Sequence, residues 1–392
     1  MDHRDVVIAG GGVIGGASAY FLASSPDFDG TVTVVERDPT YERASTPRSL
    51  GGVRQQFSNA ENILIGLYGH HFASNVADYL TVDGEAPDLG YIQGGYLFLA
   101  SEEGAAILRE NHDEQARCGA DIGLIGPDEL ARRFPWMNVD GVALASHTNS
   151  GEGWLDPNAL MQAFKRKARS LGVVYEAATV TGIDVKGSRV TSVGLDDGRQ
   201  IACGTLVNAA GAQAGRLTAL AGLTLPVEPR KRIIYVIDCR EQLTPRPPLT
   251  INSNGAFFRP EGSQYLCGIS PPEDQDPISD DLEIDYNWFE DIVWPTIAHR
   301  VPAFEAVKQT RAWAGHYDYN TFDQNGIVGR HPEVENLIFA NGFSGHGLQQ
   351  SPAVGRAVME LIAHDGFRAI DLARFGYERI AEGRPLMERN IV

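Results

Sequence analysis

The chain has only four cysteines, Cys118, Cys203, Cys239 and Cys267, and none stands in a Cys-x-x-Cys pair or at a Cys/His metal spacing. That argues against a disulfide framework and a cysteine-held metal, and fits a reducing compartment with all four as small buried apolar residues. Long apolar runs are also missing. No uninterrupted stretch approaches the ~20 residues of a membrane span, so an integral membrane protein is not expected. The start, Met1-Asp2-His3-Arg4-Asp5, lacks the basic and apolar regions of a signal peptide and does not resemble a transit peptide. A soluble, cytoplasmic protein is expected. Positive charge is in deficit, with 33 Lys+Arg against 51 Asp+Glu and a net charge of −18, spread without an acidic tail. Such a surface argues against nucleic acid and anionic membranes as partners, and its plain meaning is solubility. There is no internal repeat and no low-complexity tract.

What is present is globular: 392 residues, 43% hydrophobic and 21% charged. That length is a soft prior for two domains of roughly 200 residues. Four segments organise the chain. Val6 to Asp38 reads strand, glycine turn, helix, strand. Asp156-Pro157 opens a helix over Asn158–Leu171 as N-cap and first helical residue. Strands follow at Val173–Tyr175, Val180–Val185, Val190–Leu195 and Thr205–Asn208, with a turn at Asp196-Asp197-Gly198. Ile233–Ile237, Ala256–Arg259 and Tyr265–Ile269 alternate apolar and polar residues, as an antiparallel sheet does. The Pro- and Asp-rich stretch from Ser270 to Asp281 reads as a loop, and a helix over Trp288–Ile297 should cover that sheet. Leu337 to Ala363 is again strand, glycine loop, helix. The expected fold is α/β: a Rossmann-type domain (1–90, 150–225 and 325–392) interleaved with an α+β domain (91–149 and 226–324) on a mixed, largely antiparallel sheet.

The strand Val6-Val7-Ile8-Ala9 runs into Gly10-Gly11-Gly12-Val13-Ile14-Gly15. Gly10 permits the tight turn, Gly12 lets backbone approach a pyrophosphate, and Gly15 lets the next helix lie close to the strand. That helix, Gly16 to Ala23, directs free N–H groups and its dipole at the phosphates. Glu36, ending the strand Thr31–Val35, lies 21 residues beyond Gly15, where a carboxylate accepts from ribose hydroxyls. Arg37 could stack near the adenine or lie on the surface. NAD and FAD share this cradle, so it does not choose between them.

Two further loops bear on that choice. Ser45 to Arg54 (STPRSLGGVR) is too rich in Ser, Gly and Arg for core. Arg48, Ser49, Gly51 and Gly52 could run along an extended ligand, and Arg54 could stabilise negative charge on a reduced flavin. The bland alternative is a mobile surface loop. Leu337–Ala340 leads into Gly342, Gly345, His346, Gly347 and Leu348, then a helix from about Ser351 with Pro352 in its first turn. A glycine loop feeding a helix sets positive partial charge against a flavin's oxygens. His346, between two glycines, has little room to pack as core; it could face flavin or substrate, or be structural. Val180 and Gly211 complete the cofactor-binding set.

Four stretches, Ser49–Ser58 (SLGGVRQQFS), Val227–Tyr235 (VEPRKRIIY), Trp313–Val328 (WAGHYDYNTFDQNGIV) and Gly342–Gln350 (GFSGHGLQQ), carry a family likeness over nearly the whole chain. They resemble the FAD-dependent D-amino-acid oxidase superfamily, in its sarcosine oxidase and dimethylglycine dehydrogenase branch. The pattern is most similar to the group of FAD-dependent oxidoreductase domain-containing protein 1, with mitochondrial members and bacterial relatives. The resemblance implies hydride transfer from a carbon beside an amine nitrogen to flavin N5, then hydrolysis of the imine. A small amine, as a secondary or N-substituted amino acid, is the implied substrate, and oxygen or a redox protein the electron acceptor.

The resemblance also shows departures. Covalent members attach flavin through a histidine where this chain has Arg48, or a cysteine where it has Gly315 or His316, so dissociable FAD is expected. Sarcosine oxidase's carboxylate clamp falls on Phe57 and Gln349, and glycine oxidase's arginine near His316. A carboxylate could instead dock on Arg259, Lys231 or Arg232. The oxidases' oxygen-activating lysine falls near Leu266 or Cys267, which leans towards a dehydrogenase. Phe257, Phe258, Tyr317 and Tyr319 are either pocket wall or sheet core. Asp318, Asp323 and His316 are polar enough to orient an amine. The catalytic candidates are Arg54, His346, His316, Tyr317 and Arg259. Two other readings stand: a protein-interaction role, since mitochondrial relatives are associated with assembly of respiratory complex I, and an NAD-dependent dehydrogenase.

Overall fold

The computed structural model describes residues 2–389. Two eight-stranded sheets organise them. In the first, Asp2–Ala9 lies parallel between Val32–Glu36 and Gln200–Asn208, and Val174–Ala177 and Leu337–Asn341 extend it on either side. Ile327–Arg330 closes one edge antiparallel, and the hairpin Val180–Lys186/Arg189–Leu195 pairs with Gln200–Asn208. The strand's unbroken apolar run is explained by burial on both faces. Val6 and Ile8 pack into one hydrophobic cluster and Val7 and Ala9 into another.

The first cluster is roofed by the helices Val13–Ser24, Ala60–Ser74, Pro157–Ser170 and Gly347–His364. Asp156 caps its helix as the sequence predicts, accepting from Asn158 N–H at 2.8 Å and Ala159 N–H at 3.0 Å. The helix after the cradle begins at Val13 rather than Gly16, because Gly12 serves as its N-cap. The last long helix begins at Gly347 rather than Ser351, with Pro352 inside it. Pro352 offers no N–H to the carbonyl of Leu348, and the Ser351 hydroxyl donates there instead, at 2.8 Å. Among the described residues no helix is long and apolar enough to cross a membrane.

The second sheet runs Val307–Asn320, Val227–Cys239, Gln264–Gly268, Phe257–Glu261, Leu249–Ile251, Tyr96–Ala100, Leu144–Thr148 and Ile122–Ile125. Only the Leu249–Ile251/Tyr96–Ala100 pair is parallel. Val227–Cys239 far exceeds the expected Ile233–Ile237, because it pairs along its whole length with Val307–Asn320. Pro229 and the run Arg230-Lys231-Arg232 hide this in sequence. They are tolerated because Gln264–Gly268 pairs on the other side only at residues 235–237. The expected covering helix is there over residues 286–300, with a π-turn at Phe289–Val293. Phe289, Val293 and Ile297 pack on Tyr235, Ile237 and Phe258. The opposite face of the sheet turns towards the first domain-forming sheet, and a cavity lies between them.

Candidate active site

The cavity has a volume of about 480 Å³ and is lined from both sheets. The glycine turn forms one end. Gly10 has φ +108°, and a Cβ there would stand 2.3 Å from the Ala209 carbonyl oxygen. A Cβ on Gly15 would stand 1.9 Å from the Gly10 oxygen; Gly15 serves the close approach of helix to strand and does not line the cavity. Gly12 differs from both. Its backbone is ordinary, with φ −63°, and a Cβ would meet only Thr46 Oγ1 at 3.5 Å. Gly12, Val13 and Ile14 line the cavity, so the missing side chain at Gly12 leaves space for a ligand rather than for the fold. Glu36 also lines it, its carboxylate held by the N–H groups of Gly11 at 2.7 Å and Asp38 at 2.8 Å. Arg37 stands exposed at the rim. Val180 and Gly211 complete this end.

The Ser45–Arg54 segment is an ordered wall, not a mobile surface loop. Arg48 donates from Nε to the Glu42 carbonyl at 2.7 Å and from Nη1 to Ala314 at 2.9 Å, while Trp313 Nε1 donates back to the Arg48 carbonyl at 2.9 Å. Ser49 and Gly52 line the cavity. Gly51 does not; its φ is +84° and a Cβ would stand 2.2 Å from the Leu155 oxygen.

Arg54 and His346 meet in the cavity wall. Arg54 is buried, its guanidinium 3.9 Å from the Phe57 ring centroid, with Nη2 at 2.9 Å from His346 Nε2. Nη1 donates to the Gln56 carbonyl, and the Arg54 N–H donates to Gln349 Oε1 at 2.5 Å. An arginine can only donate, so His346 Nε2 accepts, and the ring is neutral. Burial first, and the Arg54 charge second, hold its pKa well below the ordinary histidine value. His346 does find packing room, against expectation: its ring stands edge-on to Phe57, centroids 5.2 Å apart. It also precedes the long helix, whose first residues Gly347 and Leu348 line the cavity with Gly345. Gly342 lies outside the lining and serves the turn, with φ +73°.

The second sheet supplies the opposite wall, with Leu249, Ile251, Phe257 and Tyr317. Phe258 faces away into the core against Phe304, and Tyr319 lies outside the lining. Asp318 lines the cavity and accepts from the Phe343 N–H at 3.1 Å; burial pushes its carboxyl up to about 6. His316 also lines it, with Nε2 donating to the Asp281 carbonyl at 3.0 Å, and burial lowers its pKa.

Three candidates fall away from the cavity. Arg259 donates to the carbonyls of Leu50 (2.9 Å) and Pro260 (3.0 Å), pairs with Glu261, and lies over Trp154 outside the lining. It pins the sheet to the Ser45–Arg54 segment. Lys231 pairs with Asp281 at 2.6 Å outside the lining. Asp323 is sealed in an ion pair with Arg379. Arg232 does line the cavity.

Some wall residues carry no sequence signal. Tyr96 faces Gly52, where a Cβ would stand 1.9 Å from the phenol oxygen. Thr46 Oγ1 accepts from the Val13 N–H at 3.3 Å. Glu152, buried beneath Arg54, accepts from the N–H groups of Gln55 and Gln56 and from Gln56 Nε2. These contacts fix the segment carrying Arg54. Gln56 and Glu152 stand 96 residues apart, so no local pattern reports the contact.

Comparison with known proteins places this geometry. A model of FAD-dependent oxidoreductases, the DAO family, matches residues 5–361. FAD-dependent oxidoreductase domain-containing protein 1 of Xenopus laevis is 46% identical over 425 residues, covering 100% of this chain and 85% of that protein. Among solved structures, L-proline dehydrogenase from P. horikoshii superposes with a TM-score of 0.86 at 27% identity, covering 98% of this chain and 100% of that one. Glycine oxidase from Geobacillus kaustophilus gives 0.81 at 25% identity, covering 96% and 98%.

Proposed function

Because the chain belongs to the DAO family of FAD-dependent oxidoreductases, we propose that it oxidises a C–N bond of a secondary or N-substituted amino acid. The observation that carries this reading is the buried Arg54–His346 pair, set in the cavity wall opposite an apolar sheet face. The names of the superposable relatives, an L-proline dehydrogenase and a glycine oxidase, point to amino acids, and proline among them is a secondary amine.

In this reading Gly10, Gly12, Val13, Ile14 and Glu36 hold the dinucleotide's pyrophosphate and ribose. Arg37, Arg48, Ser49, Gly52, Val180, Gly211, Gly345, Gly347 and Leu348 line the rest of its length; Gly15, Gly51 and Gly342 shape the backbone around it. The domain proposal assigns 1–90, 150–225 and 325–392 to the cofactor and the remainder to the substrate, with residues 1 and 390–392 outside the described residues. Bound FAD supplies, at N5, the acceptor for a hydride leaving the carbon beside the nitrogen. Such an oxidation would draw on the nitrogen lone pair to form a C=N bond that water could hydrolyse. The lone pair must be free. Arg54 keeps a permanent positive charge in a low-dielectric wall, which lowers the pKa of an amine held beside it. His346, neutral and fixed by Arg54, adds no second charge. Tyr317 and His316 shape and polarise the pocket.

An anaerobic panel of N-methylated, cyclic and iminodicarboxylic amino acids tests the reaction. At least one is expected to bleach the flavin's visible absorbance; if none does, amine oxidation is wrong and the protein-interaction role gains ground. The positions used elsewhere for covalent attachment carry Arg48, Gly315 and His316, so FAD is proposed to be dissociable. Denaturation should release it into the supernatant, and colour retained in the washed precipitate would refute that.

A further inference from the structure

Resting on the role proposed for Arg54 beside the flavin, we propose that Glu152 and Glu388 are positioning residues for that arginine. They seat its turn from both ends and, standing behind it, limit the positive charge that reaches the flavin.

Backbone bonding points to both carboxylates. Residues 54–59 belong to no helix or strand, so their N–H groups must find partners elsewhere. The Arg54 N–H donates to Gln349 Oε1, and the Phe57 N–H to the Gln55 carbonyl at 2.8 Å. The other four go to two glutamates. Glu152 Oε1 accepts from Gln55 and Gln56, while Glu388 accepts from Ser58 at 2.7 Å and Asn59 at 3.3 Å. Gln56 is held by its side chain too, with Nε2 donating to Glu152 Oε2 at 2.7 Å and Oε1 accepting from Ser146 Oγ. The carbonyl of this fixed residue takes Arg54 Nη1. The guanidinium therefore meets His346 from a turn whose ends are pinned by residues 97 and 330 positions further along.

The charges are layered. Arg54 lines the cavity with Gly52 and His346, whereas Glu152 and Glu388 lie outside the lining, 1% and 4% exposed. Burial disfavours the Arg54 charge, and the carboxylates of Glu388 and Glu152 favour it. Burial also raises the Glu152 pKa, against the hydrogen bonds from Thr148, Gln55 and Gln56. The three N–H donors on Glu152 favour its ionised form. In a wall so far removed from water, such charges are felt over several ångströms. The cation in front attracts the electrons of a reduced flavin, and the two anions behind it subtract from that pull. Without them the flavin would hold its electrons more tightly and release them less readily.

The test is the flavin's midpoint potential, read by equilibrating the FAD-loaded enzyme with reference dyes. Arg54→Gln removes the cation and should lower the potential. Glu152→Gln removes a charge but keeps an acceptor for Gln55 and Gln56, and Glu388→Gln does the same at Ser58 and Asn59. Each should raise the reduced-to-oxidised ratio at a fixed potential ~3- to 10-fold, a shift of about +15 to +30 mV for two electrons. A carboxylate that served only as a strut would, once weakened, let Arg54 drift and move the potential the other way. Exchanging the pair, Glu152→Gln with Gln56→Glu, puts the charge back behind the wall and should return the potential to near the wild-type value. The proposal is overturned if either single variant leaves the potential unchanged or lowers it, or if the exchange does not restore it. If one of the glutamine variants yields no FAD-loaded protein, the other carries the test by itself. Dyes rather than an amine reduce the flavin, so raised potentials with no amine bleaching defeat the oxidation reading alone. Bleaching by an amine, with potentials indifferent to both carboxylates, defeats this proposal alone.

Discussion

Gly12→Val is expected to fold and to lose FAD. At Gly12 the backbone sits at φ −63°, which valine adopts freely, and the nearest atom to a Cβ is Thr46 Oγ1 at 3.5 Å. That is ordinary van der Waals contact, so the backbone tolerates the added Cβ. The cavity does not, because Gly12 lines it where the helix Val13–Ser24 presents its first N–H groups. Two γ-methyls there occupy the space a pyrophosphate needs and lengthen every contact to the helix N-terminus. The Kd for FAD should rise at least ~100-fold, about 2.7 kcal/mol, while the apo-protein melts within a few degrees of apo wild type. Gly15→Ala is the contrast: its Cβ falls 1.9 Å from the Gly10 oxygen, so it should fail to accumulate as folded protein. Fluorescence titration of stripped protein with FAD reads the first effect. A yellow Gly12→Val protein with wild-type affinity would move the cofactor away from this turn.

The largest loss of stability is expected at Asp323 and Arg379. Their side chains are 0% and 4% exposed, and Nε to Oδ2 (2.7 Å) with Nη2 to Oδ1 (3.0 Å) makes a two-point pair. Asp323 also accepts from Asn320 Nδ2 at 2.8 Å and the Leu386 N–H at 3.0 Å. Arg379 donates to the carbonyls of Phe375, Asn325 and Gly326. Removing either partner leaves the other charge buried and unpaired, which costs about 3–5 kcal/mol. Arg379→Met should therefore lower the denaturation midpoint strongly. Adding Asp323→Asn, which removes the stranded charge but keeps an acceptor for Leu386, should recover part of the loss. If the double variant is less stable than Arg379→Met, the damage comes from lost hydrogen bonds rather than from an uncompensated charge.

Local chemistry was legible; long-range placement was not. Val6–Ala9, the glycine turn and Glu36 are a local pattern, and the structure sets that turn and Glu36 side by side in the cavity wall. Asp156-Pro157 announces its helix through a cap that needs no tertiary partner. Helix starts at Val13 and Gly347 were read late, because glycines that cap and open helices look like loop until the first N–H groups are placed. Arg259, Arg232 and Lys231 could not be told apart in sequence. All three are charged residues in strands, and only the register and the positions of Glu261, Asp276 and Asp281 decide which face the cavity. Asp323 looked equally available to a ligand. Its partner lies 56 residues away, and no local pattern reports it.

The order of strands in the first sheet also sets a timetable for synthesis. Asp2–Ala9 pairs in the sheet's middle with Gln200–Asn208, which pairs in turn with Leu337–Asn341. At ~5–20 residues per second on the ribosome, the first strand waits ~10–40 s for that neighbour, and roughly half as long again or more passes before the third is made. During that interval Val32–Glu36 can cover only one side of the strand, and the edge of Val6-Val7-Ile8-Ala9 that takes Gln200–Asn208 stays open, the condition in which strands aggregate. On this timetable the open edge of the first strand is closed only when about half of the chain has been made.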